Sequence, residues 1–436
     1  MIQITKISNE VLPFINIIHS QQQQDTKDKG QLKINITSEI TSAPVADASI
    51  SISYTGVPEN PLEQLITDSS GQTDTIDLEA PPLDYSFNPD SENQPYSEYT
   101  LQVTAEGFQP VSIAGAEILS GVTAIQNIRL RPLAESSPSE NVFVIPAHTL
   151  YGEYPPKIPE AEIKSTTEAG EIVLSRVVVP EYIIVHDGSP RDSTAKNYYV
   201  KYKDYIKNVA SSEIYATWNS NAIRANVLAI MSFTLNRVYT EWYRNQGYDF
   251  TITSSTAFDH KWIPERNIYD TISVIVDELF ADYLSRPNVR QPILTQYCDG
   301  QRVQCPNWMT QWGSQSLAEQ GYSAIEILRY FYGDDMYINT AEAISGIPSS
   351  WPGQNLSSGS TGNKVRQMQE ELNVIAGAYP AIPKITVDGI YGPATAASVK
   401  KFQSVFGLPS TGVVDYSTWY KISEIYVGVS RIAELN

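Results

Sequence analysis

Between Asp204 and Glu241 the chain carries a single acidic side chain, Glu213, flanked by two segments that read as helices. The first opens at Tyr205 and ends near Glu213. From Ser220 the second places apolar residues at Ile223, Val227, Ile230, Met231, Val238 and Trp242, the three-and-four spacing of a helix with a buried face. Ala222, Ala225, Leu228, Ala229 and Phe233 add apolar surface on its other sides, so this helix is expected to be buried nearly all round. Such a helix can only sit at the centre of a domain. A carboxyl at its edge, beside Tyr215 and Trp218, would be desolvated, would hold its proton near neutrality, and would suit general acid catalysis. The plainer alternative is a solvated charge at a helix end.

At 436 residues the chain is too long for one ordinary core, and two to four domains are expected. Its net charge of -19 argues against nucleic acid and against an anionic membrane surface as partners, because few basic groups are free to neutralise phosphate. Residues 31–135 hold 3 Lys and Arg against 15 Asp and Glu, so the acidity is concentrated in the front of the chain. No apolar run is long enough to span a membrane, and residues 1–20 make a poor secretory signal. Cys298 and Cys305 leave three possibilities open: free thiols, a local bridge, or half of a metal site.

Residues 1–30 read as a leader and flexible pre-region, ending in the polar QQQQDTKDKG. From Leu32 an alternating pattern sets in: Leu32, Ile34, Ile36; Ile50, Ile52, Tyr54; Tyr99, Leu101, Val103; Ile125, Ile128, Leu130. With the Asp68–Thr73 turn and the run Tyr99 to Phe108, residues 31–133 resemble a small all-β transthyretin-like sandwich, expected to be a non-catalytic pro-domain. Residues 134–170, with five prolines, read as a Pro-rich linker exposed to proteolysis, the expected cut lying between Ala134 and Tyr151. Residues 171–347 form the domain around Glu213. Within it Phe250–Phe258 reads as a strand and Ile272–Leu284 as an amphipathic helix. Residues 348–361 are a second linker. Residues 362–436, with Gly362, Val365, Met368, Gln369, Leu372, the turn Asp388-Gly389-Ile390-Tyr391-Gly392-Pro393, Val399, Phe402, Gln403, Gly412 and Trp419, resemble a three-helix peptidoglycan-binding domain.

The central domain resembles the stage II sporulation protein D family of peptidoglycan lytic transglycosylases. Tyr205, Ile206, Val209, Glu213, Trp218, Ala225, Asn226, Ala229 and Arg237 follow its first block. Met309-Thr310-Gln311-Trp312-Gly313 follows its second, although Cys305-Pro306-Asn307 stands where the family usually carries Gly-His-Gly. From end to end the order resembles spore cortex-lytic transglycosylases of the SleC type: a pro-region, a transglycosylase domain and a wall-binding module.

The resemblance implies a multidomain α+β chain whose central domain is mainly helical. It implies Glu213 as the catalytic acid, and Tyr215, Trp218, Asp259, His260, Gln311 and Trp312 as substrate-binding residues. It further implies an enzyme with no cofactor and no metal, located in the spore cortex outside the cytoplasm, with cortex peptidoglycan as substrate and a germination protease as activating partner. Two other readings stay open: a hydrolytic muramidase or glucosaminidase using a second acid such as Asp259, and a wall-binding protein without catalysis.

Overall fold

The computed structural model describes residues 27–133, 140–148, 150–152, 155–164, 174, 176–346 and 351–430. Residues 1–26 of the expected leader lie outside them, and its last three residues, Asp28 to Gly30, are not a flexible lead-in but the start of the first strand. The chain is multidomain α+β.

The alternating front half forms eight strands: β1 (Asp28–Ser38), β2 (Ser49–Tyr54), β3 (Glu63–Ile66), β4 (Ile76–Ala80), β5 (Tyr96–Thr104), β6 (Val111–Leu119), β7 (Thr123–Leu130) and β8 (Asn141–Val144). One sheet runs β4-β1-β7 and the other β3-β2-β5-β6-β8. Period-two alternation sends Leu32, Ile34 and Ile36 of β1 inward against Ile50, Ile52, Leu101 and Ile113, all fully buried. The Asp68–Thr73 turn is closed by Asp68 Oδ1, which accepts from the N–H groups of Ser70 and Gln72. Gly71 in that turn has φ +68°, and a Cβ there would lie 2.3 Å from the Ile36 carbonyl oxygen. Only glycine fits.

The sandwich does not end where its sequence pattern ends. Ile268–Tyr269, from the central domain, pairs antiparallel with β7 and extends the first sheet by one strand. Glu117 of β6 meets Arg266 at 2.6 Å, with essentially no exposure on either side chain. Arg266 in turn donates to the Ser211 carbonyl two residues before Glu213.

The central domain is built on α1 (Tyr202–Glu213) and α2 (Ser220–Tyr239). Asn219 caps α2 by accepting from the Asn221 N–H. As the sequence implies, α2 is buried on every side: Ala222, Ala225, Val227, Phe233 and Leu235 have no exposure. Two expected elements are shorter than their patterns. The helix α3 stops at Leu279 (Asp270–Leu279), and Asp282–Ser285 then pairs as a strand with Tyr337–Thr340, tied to α2 through Ser232 Oγ and the Leu284 N–H at 3.1 Å. In the 250–258 segment only Ile252–Thr253 pairs, beside Val185–His186, because Asp259 accepts from both the N–H and hydroxyl of Thr253 and folds the chain back. Helices α4 (Gln311–Glu319) and α5 (Ala324–Tyr332) close the domain against α2, which Asn226 joins to α4 through a 2.7 Å bond to Ser314.

The module at the C-terminal end of the described chain has α6 (Asn363–Ala378), α7 (Pro393–Val405) and α8 (Tyr416–Ser430). Two buried glutamines organise it. Gln369 accepts from the Asp388 and Gly389 N–H groups and donates to Asp388, Ile390 and Thr395. Gln403 does the equivalent for the next turn, through Gly412, Thr411, Val413 and Thr418. The described part of the expected second linker wraps onto this module: Leu356 bridges to Val414, and Trp351 packs edge-on against Tyr416 and Trp419. The module docks on the central domain through Lys203, which reaches Asp277 at 3.2 Å and Glu424 at 2.8 Å, and through Ser417, which donates to the Asp277 carbonyl. No helix among the described residues is long and apolar enough to cross a membrane.

Candidate active site

Glu213 is the last residue of α1 and is 3% exposed. Its Oε1 accepts a 2.6 Å hydrogen bond from the Lys261 backbone N–H. Gln311, which opens α4, donates through Nε2 to the Glu213 carbonyl at 3.1 Å and makes a longer 3.4 Å contact to Oε2. Burial pushes the Glu213 carboxyl above its ordinary value; the Lys157 ammonium, the Tyr297 hydroxyl and the Lys261 N–H pull it back in part. The Tyr297 hydroxyl lies near this carboxyl but is itself buried without a hydrogen-bonded partner.

Tyr215, Trp218 and Trp312 form one aromatic patch beside Glu213. The Trp218 and Trp312 rings are 4.9 Å apart, and Tyr215 meets them at 5.9 and 6.0 Å. The sandwich covers this patch: the Trp218 indole N–H donates to the Ser86 carbonyl at 2.9 Å, and Thr217 bonds the Ser86 hydroxyl. His148 covers it from the other side, stacked on Tyr215 at 4.7 Å. Leu150 N–H donates to His148 Nδ1, so Nε2 carries the proton and donates to the Ile214 carbonyl at 3.0 Å. Burial holds this imidazole neutral, well below its ordinary value.

Asp259 and His260 stand apart from the patch. Asp259 is fully buried; its Oδ1 accepts from Arg237 at 2.8 Å and its Oδ2 from the Tyr243 hydroxyl and from the N–H and hydroxyl of Thr253 at 2.6–2.9 Å. His260 bonds the Tyr205 hydroxyl through Nδ1 at 3.0 Å and lies between the Phe233 and Tyr297 rings, with Nε2 unpartnered.

The Pro-rich segment departs from the free tether that its composition implies. Residues 155–164 lie as an extended strap along the central domain. Ile158 N–H donates to the Ala257 carbonyl, Gln296 bonds Ile158 and Glu160, and Glu162 accepts from the Leu294 N–H. Arg237 takes Glu160 in a two-pronged pair and Arg286 takes Glu162 likewise. The region expected to be cut falls partly on residues 134–139 and 149, outside the described ones. Of its described remainder, 141–144 is β8, and Ile145, His148 and Leu150 are buried. Cys298 and Cys305 are bonded to each other, and the loop they close carries Arg302, which donates to the carbonyls of Leu150 and Gly152. Among the described residues no group of His, Cys, Asp or Glu is arranged to hold a metal.

Sequence patterns miss Lys157 and Tyr297. Lys157 has one signal, being the only cation between Arg131 and Lys164.

Residues 361–422 match the family model of the putative peptidoglycan binding domain. The chain therefore carries a peptidoglycan-binding domain. Among curated proteins, the zinc D-Ala-D-Ala carboxypeptidase of Streptomyces albus G is 39% identical over 77 residues, which are 17% of this chain and 28% of that protein. An uncharacterised protein of Kitasatospora aureofaciens is 41% identical over 68 residues, 15% of this chain and 53% of that one. The chain thus spans about a quarter to about half of the curated relatives it matches. Among solved structures, the SleB N-terminal domain aligns at 26% identity over 18% of this chain and 99% of its own, with a TM-score of 0.16. The 5-hydroxyisourate hydrolase of Klebsiella pneumoniae aligns at 16% identity over 24% of this chain and 92% of its own, with a TM-score of 0.15. TM-scores this low carry no argument about fold or function. The peptidoglycan-binding domain supports association with the cell wall.

Proposed function

We propose that this chain is a peptidoglycan lytic transglycosylase of the spore cortex, held as a zymogen by its front half, a transthyretin-like pro-domain. The observation that carries the reading is Glu213: a lone, desolvated carboxyl whose hold on a proton burial strengthens, at a helix end, beside an aromatic patch, in a chain with a wall-binding module.

The chemistry follows from what one such acid can do. With Oε1 occupied by the Lys261 N–H, the proton sits on Oε2. It passes to the glycosidic oxygen between a muramyl and a glucosaminyl residue as the bond breaks. The carboxylate so formed then takes the proton from the muramyl C6 hydroxyl, whose oxygen closes a 1,6-anhydro ring on C1. No water enters and no second carboxylate is required. A hydrolase would need that second acid at a set separation, and the obvious candidate, Asp259, has both oxygens committed to Arg237, Tyr243 and Thr253. Tyr215, Trp218 and Trp312 offer the flat apolar faces on which sugar rings stack.

Ser86 and His148 support the zymogen reading, since both sit on the aromatic patch where a glycan strand would lie. A protease that cuts between His148 and Tyr151 would sever both from the central domain, and one that cuts earlier would sever Ser86 alone. Spore cortex preparations incubated with the protease-nicked protein should yield new 1,6-anhydro-muramyl ends by mass spectrometry, and the uncut protein should yield few.

A further inference from the structure

Lys157 reaches the site from the strap, far from Glu213 in sequence. Its ammonium donates to the Asp259 carbonyl at 2.6 Å and lies 4.5 Å from the centre of the Tyr297 ring and 5.1 Å from that of Phe233. Two residues beyond that carbonyl, the Lys261 N–H holds Glu213 Oε1. One three-residue stretch thus fixes a cation at one end and the acid at the other. The strap is stitched immediately after Lys157, Ile158 bonding to Ala257 and to Gln296 and Glu160 to Gln296, so the ammonium has little freedom to leave.

We propose that Lys157 is a positioning residue for Glu213, its fixed ammonium keeping the carboxylate form of the acid accessible within a site that excludes water. The proposal rests on reading Glu213 as the proton donor. A carboxyl desolvated with no cation nearby would hold its proton too tightly to release it, and its anion would be costly once formed. Lys157 lowers that cost through its charge; burial pushes its own ammonium below the ordinary value, and the Glu213, Asp259 and Glu160 carboxylates draw it back in part. The ionisable groups facing Glu213 are Lys157 from the strap, Lys261 from the loop, Tyr297 from the strand at 297–298 and Tyr205 from α1. Lys157 itself faces Glu213, Asp259, Glu160 and Arg237. Among the ionisable groups on Glu213 its charge acts most strongly. Lys157 lies beyond the expected cut, so activation would leave it attached.

The test titrates Glu213 directly in the full-length uncut chain, with 13Cδ-labelled glutamate and Glu213→Gln to identify the resonance. Lys157→Met and Lys157→Gln should each move the Glu213 midpoint upward by about one pH unit, a tenfold gain in proton affinity, and Lys157→Arg should return most of it. An unchanged midpoint in either neutral variant, with the fold intact by thermal melting, would overturn the proposal and leave Lys157 as an anchor of the strap only. The titration needs no turnover, so it stands or falls separately from the transglycosylase reading.

Discussion

The Lys261 backbone N–H meets Glu213 Oε1 at 2.6 Å, and this bond ties the acid to a loop rather than to its own helix. The loop is held in turn by Asp259, whose carboxylate gathers Arg237, Tyr243 and Thr253. Asp259 therefore acts on Glu213 at a distance, by fixing the backbone that presents the hydrogen bond.

A consequence concerns stability and pH. The folded state holds the Glu213 carboxyl above its unfolded value, so wild-type stability falls as pH rises from the ordinary carboxylate range through the raised value, and is level above it. Glutamine has no such penalty. Glu213→Gln should be the more stable protein at neutral pH, by roughly 1.4 kcal/mol for each pH unit by which the carboxyl is raised. The gap should close at low pH. Thermal melts of both proteins across pH 4 to 8 check the sign.

The Glu117–Arg266 pair joins the sandwich to the end of α1 with no access to water. Removing one partner leaves a buried charge unpaired, so Arg266→Met should cost about 3–5 kcal/mol in denaturant unfolding. Adding Glu117→Leu should restore a good part of that loss, since two apolar groups replace two desolvated charges.

The loop closed by Cys298–Cys305 carries Arg302 onto the carbonyls of Leu150 and Gly152. Opening it, by Cys298→Ser with Cys305→Ser, should loosen that grip at a cost of roughly 2–3 kcal/mol for a loop this short. Limited proteolysis should then cut between residues 140 and 152 several-fold faster than in the bridged protein.

In the wall-binding module, Gln369 bonds three backbone groups of the 388–390 turn together with Thr395. Gln369→Leu would strand buried N–H groups, each worth about 1–3 kcal/mol. The module should lose its cooperative unfolding transition, and the full chain should sediment less with purified sacculi.

The helices around Glu213 and the glutamine-pinned turns of the module are legible in the sequence because each is written in local spacing. The surroundings of Glu213 are not, because they depend on distant partners. Asp259 reads as a site candidate when its partner Arg237, 22 residues earlier, is out of view. The prolines of 134–170 suggest a free extended tether, yet nothing in composition shows that Ile158, Glu160 and Glu162 will be bonded along the domain. The pairing of Ile268–Tyr269 with β7 is equally hidden, since two residues make no pattern.

The central claim is that one buried carboxyl both gives and regains a proton while the sugar closes on itself. Mass spectrometry of spore cortex digested by the protease-nicked protein tests it most directly. The account predicts 1,6-anhydro-muramyl ends from the wild type and a loss of at least 10²- to 10⁴-fold in Glu213→Gln. Reducing ends in their place, or full cutting by Glu213→Gln, would contradict it.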